Sequence, residues 1–280
     1  MFATPIPRET LLHVVKSLPA SPHILVQLGH LLLDPNSDMD EVIKLLRCDT
    51  ALTARIIRIS NSAFYSTGQR NASLEEALAR VGFNEVYRLT GLAALAQLAD
   101  PDLTAYGITG AQLRENSLLT ALVAEALAAH TAIDPKHAYT AGLLRSIGKI
   151  ALDGVMRAGS KPGFAPLSAG DDLLDWETRA VGLHNGEAAA AILAEWRFAS
   201  HTIDGIRSHY RPLPSSPALA SLLNLAAAAA DRGGHGLPGE TSYWDLSSEK
   251  LSAAGVLEEE VENATRLALI QFGPLRAALR

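Results

Sequence analysis

The chain has 280 residues, and its 24 Lys and Arg against 30 Asp and Glu give a formal net charge of −6. This mild acidity argues against a dedicated nucleic-acid-binding protein, which would usually be basic. The single cysteine, Cys48, excludes an internal disulfide framework and a zinc site built from several cysteines. The first residues lack the pattern of a signal peptide, and the most apolar run, 218–230, is too short to span a bilayer. We therefore expect a soluble cytoplasmic protein without a membrane-embedded segment.

Helical spacing of apolar residues runs through nearly the whole chain, and turn residues separate the segments. In the first hundred residues a short helix is predicted at 10–16. Side chains that cap helices predict further starts at Ser21, Asp49, Ser73 and Asn84. Asp100-Pro101 ends this purely helical block.

The second part of the chain continues the helical pattern. Thr109 with Gln112 predicts a capped helix reaching to about residue 130, and Asp134-Pro135 opens the next. The glycines and prolines of 154–170 predict a loop, after which Ser200 predicts another helix start and 217–231 an alanine-rich helix. Because no alternating apolar pattern predicts a strand, the expected fold class is all-α.

The segment 138–150, AYTAGLLRSIGKI, carries the most informative polar residues. The helical spacing of Leu143, Leu144 and Ile147 places the segment against a core. Arg145-Ser146 lies between these apolar residues, in the predicted last turn of a helix. A polar pair in such a position normally points into a cleft or a contact.

Common catalytic motifs are missing from the sequence, which has no Walker phosphate loop, G-x-G-x-x-G, G-x-S-x-G or H-E-x-x-H pattern. Of nine histidines, His184 and His209 stand apart because each lies at a helix boundary beside other polar residues. The acidic run from Asp171 to Glu177 is interpreted as carboxylates that favour the start of a helix. A polar cluster at the end of an earlier helix is read either as a solvated face or as a partner or inter-lobe contact; it comprises Arg55, Arg58, Asn61 and Ser62.

Two passages resemble the HDOD family, a branch of the HD phosphohydrolase superfamily. The first contains Leu18-Pro19, Asp49-x-x-Leu52, Asn61-Ser62-Ala63-Phe64-Tyr65, and a helix from Ser73-Leu74 to Gly82. The second contains HAYTAGLLRSIGKIAL, GLHNGEAAAAILAEWRF and IRSHYRP. Several motifs in the family's order carry the resemblance, which covers about residues 12–214.

The resemblance also indicates which residues replace the metal ligands. Metal-dependent HD enzymes use an early His, a His-Asp doublet and a later Asp to bind an ion that activates water. Here those positions carry Asn116, the doublet Arg145-Ser146, and a residue near Ala227, with Asp231 one turn further on. An arginine beside the site would repel a divalent cation. We therefore expect neither a catalytic metal nor another cofactor.

The resemblance further implies two helical lobes, residues 1–108 and a degenerate HD-like lobe of residues 109–280. The degenerate pocket of the second lobe is expected to be lined by Asn116, Arg145, Ser146, His184 and His209.

The expected function is a non-catalytic signalling or regulatory module of a bacterial cytoplasm, which acts through protein contacts or a small ligand. One alternative is a phosphohydrolase with a rearranged ligand set of His184, His209 and Asp231. Another is a sensor in which Arg145 binds a phosphate or carboxylate in the vacated metal pocket.

Overall fold

A computed structural model of the chain describes residues 24, 26–28, 31, 38–62, 65, 70–158, 167–168 and 170–278. Within them the chain forms thirteen α-helices, which confirms the all-α class. They are α1 Met39–Arg47, α2 Thr50–Ser60, α3 Leu74–Val81, α4 Phe83–Leu98, α5 Gly110–Ala128, α6 Pro135–Leu144, α7 Ile147–Ala158, α8 Leu173–Val181, α9 Asn185–Glu195, α10 Ser200–Ser208, α11 Ala218–Ala230, α12 Ser248–Ala254 and α13 Glu258–Ala278. The only β-type pairing among these residues is one isolated bridge between Leu103 and Ile108. The predicted helix at 10–16 and the predicted cap at Ser21 lie outside the described residues.

Side-chain caps start several helices as predicted. Asp49 accepts a hydrogen bond from the backbone N–H of Leu52, and Ser73 accepts one from Glu76. Thr109 and Gln112 form a reciprocal capping box at the start of α5. Each such cap satisfies a backbone donor that the first turn of a helix leaves unpaired.

Two predicted starts and one predicted loop were wrong in detail. Helix α4 begins at Phe83, before Asn84, because Gly82 takes a φ of +83° and completes the turn there. Ser200 is the first residue of α10 rather than its cap, and the preceding Ala199 makes no side-chain bond. The predicted loop begins later than expected, since α7 continues to Ala158.

Helix α5 lies at the centre of the molecule, where it packs against α6, α11 and α13. Its side chains Leu118, Leu119 and Leu122 are buried. Helix α4 contacts both α5 and α6, and one continuous apolar cluster runs from Ile24 to Leu275. The core therefore crosses the expected boundary near residue 108, and the division into two lobes stays a prediction.

The segment 138–150 forms two consecutive helices rather than one. Helix α6 ends at Leu144 and α7 begins at Ile147, so Arg145-Ser146 forms the junction between them. Arg145 keeps right-handed helical dihedral angles, φ −54° and ψ −33°. The junction directs the Arg145 side chain inward, toward α5 and the ends of later helices.

Gly148 allows the start of α7 to lie directly against the start of α9. A Cβ atom at this position would lie 1.9 Å from the carbonyl oxygen of Asn185 and 2.9 Å from the nitrogen of Ala189. Both neighbours are backbone atoms and cannot rotate away, so the two helices would have to separate.

We expect Gly148→Ala to lower the free energy of unfolding by roughly 1–3 kcal/mol, as overpacking of a close contact does. Urea unfolding monitored by circular dichroism measures the change. Gly233→Ala is the matched control, because its Cβ would meet only a Leu119 methyl at 3.5 Å, an ordinary contact. Equal unfolding midpoints for the two variants would contradict the close approach.

Candidate functional site

The side chain of Arg145 is fully buried and bound to a carboxylate of the same chain. Its Nη2 donates to Glu240 Oε2 at 2.8 Å and its Nη1 to Glu240 Oε1 at 3.3 Å. Nη2 also donates to Asn116 Oδ1 at 2.6 Å. Arg145 and Glu240 are both 0% exposed. The guanidinium thus forms a bidentate ion pair with the Glu240 carboxylate, which is the geometry that arginine and carboxylate favour.

Lys149 places a second buried cation one helical turn after Arg145. Its Nζ lies 3.2 Å from Glu240 Oε1 and 4.0 Å from Glu177 Oε1. The ammonium group also faces two aromatic rings, 5.1 Å from the centroid of Tyr106 and 5.5 Å from that of Tyr210. Two cations and two carboxylates therefore meet, and their formal charges cancel.

Both carboxylates receive further hydrogen bonds from buried donors. Tyr210 donates its hydroxyl to Glu240 at 2.6 Å, and Tyr106 donates to Glu177 at 2.9 Å. Asn185 donates to Glu177 from its backbone N–H at 2.7 Å and from its side-chain amide at 3.0 Å. Glu177 is therefore an internal partner of this cluster, which corrects its interpretation as a carboxylate at a helix start.

His209 lies against Arg145 at the end of α10 and is neutral. Its Nδ1 is 2.6 Å from the carbonyl oxygen of Ile206, which can only accept, so Nδ1 carries the proton. The Nε2 lone pair faces Arg145 Nη1 at 3.4 Å. Burial, with the charge of Arg145 beside it, lowers the pKa of His209 to about 3. Burial alone would raise the pKa of Glu240, but Arg145 and Lys149 lower it to about 2.

We call this group the buried ion cluster; its members are Tyr106, Asn116, Arg145, Lys149, Glu177, Asn185, His209, Tyr210 and Glu240. The cluster joins the loop before α5, α5 itself, the α6–α7 junction, the first turn of α7, α8, α9, the end of α10 and the segment before α12. It is packed on one side by Trp244, whose ring lies 5.4 Å from the Arg145 guanidinium carbon. These contacts tie all of these parts of the chain to one set of charges.

Three of the five residues predicted to line a common pocket, Asn116, Arg145 and His209, do meet. Ser146 does not, because neighbouring residues at a helical junction point in different directions. Ser146 instead lines a small, mostly apolar cavity with Leu113 and Ile150.

His184 is the other predicted pocket residue that the structure places elsewhere. It precedes α9, where its backbone N–H donates to Glu187 at 3.0 Å and its ring lies 3.7 Å from the same carboxylate. Ala227 is buried in α11, and Asp231 accepts a hydrogen bond from Thr241 at 3.2 Å near the surface. The predicted pocket is thus smaller than expected and is filled by the chain's own side chains.

The polar residues at the end of α2 have different surroundings. The Asn61 side chain holds the backbone of Asn71, accepting from its N–H at 2.7 Å and donating to its carbonyl at 2.9 Å. Ser62 and Arg55 are half-buried and Arg58 is exposed. Within the described ranges neither arginine forms an ion pair, although α2 does contact α13. A partner or inter-lobe contact by these residues stays a prediction.

Sequence reasoning missed several members of the buried ion cluster. Lys149 follows Arg145 by four residues, so helical spacing could have placed it on the same face. Tyr210 adjoins His209 in sequence. Glu240 has no local signal, since it lies 95 residues after Arg145 in a glycine-rich stretch.

The described ranges contain neither a group of potential metal ligands nor a helix that could span a membrane. No three His, Cys, Asp or Glu side chains are grouped there so that they could hold a metal ion. None of the helices there is long and apolar enough to cross a membrane.

Solved bacterial structures share this arrangement of helices. A protein from Marinobacter aquaeolei VT8, provisionally named a signal transduction protein, matches with a TM-score of 0.72 and 21% identity, over 97% of this chain and 64% of that one. An HDOD domain protein of unknown function from Geobacter sulfurreducens matches with a TM-score of 0.69 and 20% identity over 98% of both chains. A protein from Shewanella amazonensis SB2B, provisionally named a phosphohydrolase, matches with a TM-score of 0.64 and 22% identity over 97% of this chain and 98% of that one.

Sequence comparison agrees with the structural likeness. An uncharacterized protein from Treponema pallidum (strain Nichols) is 24% identical over 254 residues, which is 88% of this chain and 48% of that protein. The chain therefore spans about half the length of this curated relative. The family sequence model of the HDOD domain matches residues 18–212, more than half of the chain. The chain belongs to the HDOD domain family.

Proposed function

We propose that this chain is a non-catalytic regulatory module that transmits a signal through contacts with other proteins. The observation that carries the proposal is the Arg145–Glu240 ion pair. The pair is fully buried and lies where the resemblance to HD enzymes predicts a metal ligand. A structural likeness to a protein provisionally named for signal transduction is consistent with this role.

The charges around Arg145 do not suit a catalytic metal. A divalent ion beside Glu240 would approach the guanidinium of Arg145 and the ammonium of Lys149, at a place from which water is excluded. Like charges repel more strongly in such surroundings than in water. The Glu240 oxygens are also engaged by these two cations and by Tyr210. These residues therefore do not fit the metal that hydrolysis by HD enzymes requires.

The rearranged metal site of the enzyme alternative has little geometric support. His209 is enclosed in the buried ion cluster, whereas His184 pairs with Glu187 and Asp231 with Thr241. The three side chains have separate partners.

The anion-sensor alternative also lacks an observation in its favour. The guanidinium of Arg145 already holds the carboxylate of Glu240, and both side chains are closed off from solvent. An external phosphate or carboxylate would have to displace a buried ionised group, at a large desolvation penalty.

The proposal predicts that the purified chain carries no stoichiometric divalent metal and hydrolyses neither phosphomonoesters nor cyclic dinucleotides. Plasma mass spectrometry measures the metal, and a hydrolysis screen with added Mn²⁺, Fe²⁺ or Mg²⁺ measures turnover. The proposal would be contradicted by a metal content near one ion per chain that His184→Ala removes and that the exposed control His201→Ala keeps. Metal-dependent turnover that His184→Ala abolishes and His201→Ala retains would contradict the proposal equally.

A further inference from the structure

A surface groove lies between α13 and the turn that follows α11, apart from the buried ion cluster. Its volume is about 630 Å³. Cavities that hold small ligands typically measure roughly 300–1,000 Å³ and are mostly apolar. The apolar part of its lining consists of Ala229, Leu246, Val261, Leu269 and Ile270.

Two of the residues that line the groove, Leu269 and Ile270, belong to an unusual concentration of exposed apolar side chains. In the described part of the chain, four of the five exposed large hydrophobic residues lie on α13 or directly before it: Leu257, Leu267, Leu269 and Ile270. Ile270 is 68% exposed. Another face of α13 packs into the core through Ala264, Ala268 and Leu275, whereas Leu269 and Ile270 stay exposed beside the groove. Such a patch is typical of a binding surface.

Two arginines give the groove a positive rim. Arg232 lies in the turn after α11 and Arg266 on α13, while Glu262 is the one acidic residue of the lining. Arg232 is exposed and forms no ion pair with any described residue. Arg266 donates a hydrogen bond at 2.9 Å to the neutral side chain of Asn263. The lining thus combines an apolar wall with an excess of one positive charge.

We infer that the groove binds a free amphiphilic carboxylate, a small molecule with an aliphatic chain and one anionic head. The aliphatic chain would lie against Leu246 and Ile270, which removes apolar surface from water. The carboxylate would accept charge-assisted hydrogen bonds from Arg232 and Arg266. Because the groove is separate from the buried ion cluster, this binding does not depend on whether the chain is catalytic.

Calorimetric titration of the full chain with decanoate, kept far below its micellar concentration, tests the inference. We expect one decanoate per chain. Butyrate should bind at least about tenfold more weakly, because it lacks six methylene groups to bury. Decyltrimethylammonium should also bind at least about tenfold more weakly, because its head is repelled by the rim arginines.

Two groove variants and two matched controls locate the site. Arg232→Glu and Ile270→Asp should each weaken decanoate binding by about tenfold or more. Arg58→Glu and Leu213→Asp should leave it unchanged, since both replaced side chains are exposed and neither lines the groove. All four residues are exposed, so circular dichroism should show intact folds.

Three results would overturn the inference. The first is decanoate binding that is no tighter than that of butyrate or the cation. The second is equal binding by groove and control variants. The third is the absence of decanoate binding. If the chain then forms a dimer that Ile270→Asp dissociates in sedimentation, the occupant of the surface is a second copy of the chain. If the chain instead binds phosphatidylglycerol vesicles, the occupant is a lipid surface.

Discussion

Replacing Glu240 by glutamine should lower the free energy of unfolding by about 3–5 kcal/mol, the loss expected when one partner of a buried ion pair is removed. Glu240 is the nearest carboxylate to both Arg145 and Lys149, at 2.8 Å and 3.2 Å. Its neutral replacement would leave these buried cations with only Glu177, which lies 4.0 Å from Lys149. Urea unfolding at neutral pH, followed by circular dichroism, gives the change.

Two further variants separate charge from simple disruption of packing. Glu249→Gln, at an exposed position of α12, removes the same charge and should change the unfolding midpoint very little. The double variant Arg145→Met with Glu240→Leu replaces the ion pair by apolar side chains and should recover much of the loss. If Glu240→Gln unfolds at the same urea concentration as Glu249→Gln, Glu240 is not the counter-ion that stabilises the cluster.

Acid should destabilise the fold through His209. The folded state keeps this imidazole neutral, with its pKa lowered to about 3 by burial and by Arg145, whereas the unfolded chain protonates it near pH 6.5. The unfolded state therefore binds the additional proton as the pH falls below 6.5. Stability is fully present above that pH and falls by about 1.4 kcal/mol per pH unit toward pH 3, or roughly 5 kcal/mol in all.

The interval from pH 6.5 to 5 separates the contribution of His209 from that of Glu240. Glu240 contributes in the same direction only at lower pH, because its folded pKa of about 2 makes it lose stability as the pH falls below 4.5. Unfolding free energies measured across the higher interval should drop by about 2 kcal/mol in the unmodified chain. His209→Gln should flatten this dependence, and the exposed control His201→Gln should retain it. An equal drop for His209→Gln and the unmodified chain would show that His209 is not the responsible group.

Together these results would show that the buried ion cluster stabilises the fold of a chain that we propose to be non-catalytic. Asn116 also donates to the carbonyl of His235 at 2.7 Å, and the cluster therefore fixes the segment between α11 and α12 onto α5. That segment includes Arg232, which lines the groove beside α13. A cluster that holds this segment in place would keep the shape of the proposed binding surface.

The features that depend on neighbouring residues could be predicted from the amino-acid sequence. Helical periodicity and the caps at Asp49, Ser73 and Thr109 are local, because each cap bonds a backbone N–H only three residues away. The all-α class followed from such patterns, and the HDOD family from the resemblance of several motifs; both were confirmed. The importance of Arg145 was also visible, since a charged residue among apolar neighbours must find a partner when it is buried.

The identity of that partner depends on how the fold brings distant segments together. Glu240 reaches Arg145 from 95 residues away, and the approach of α7 to α9 at Gly148 depends on two backbones meeting across the core. Ser146 likewise lies outside the cluster, because its side chain and that of Arg145 point in different directions from the helical junction. A buried charge takes its counter-ion from whatever the packed helices bring within about 3 Å, and sequence distance does not limit that choice. For this reason the predicted pocket became a filled cluster of ion pairs.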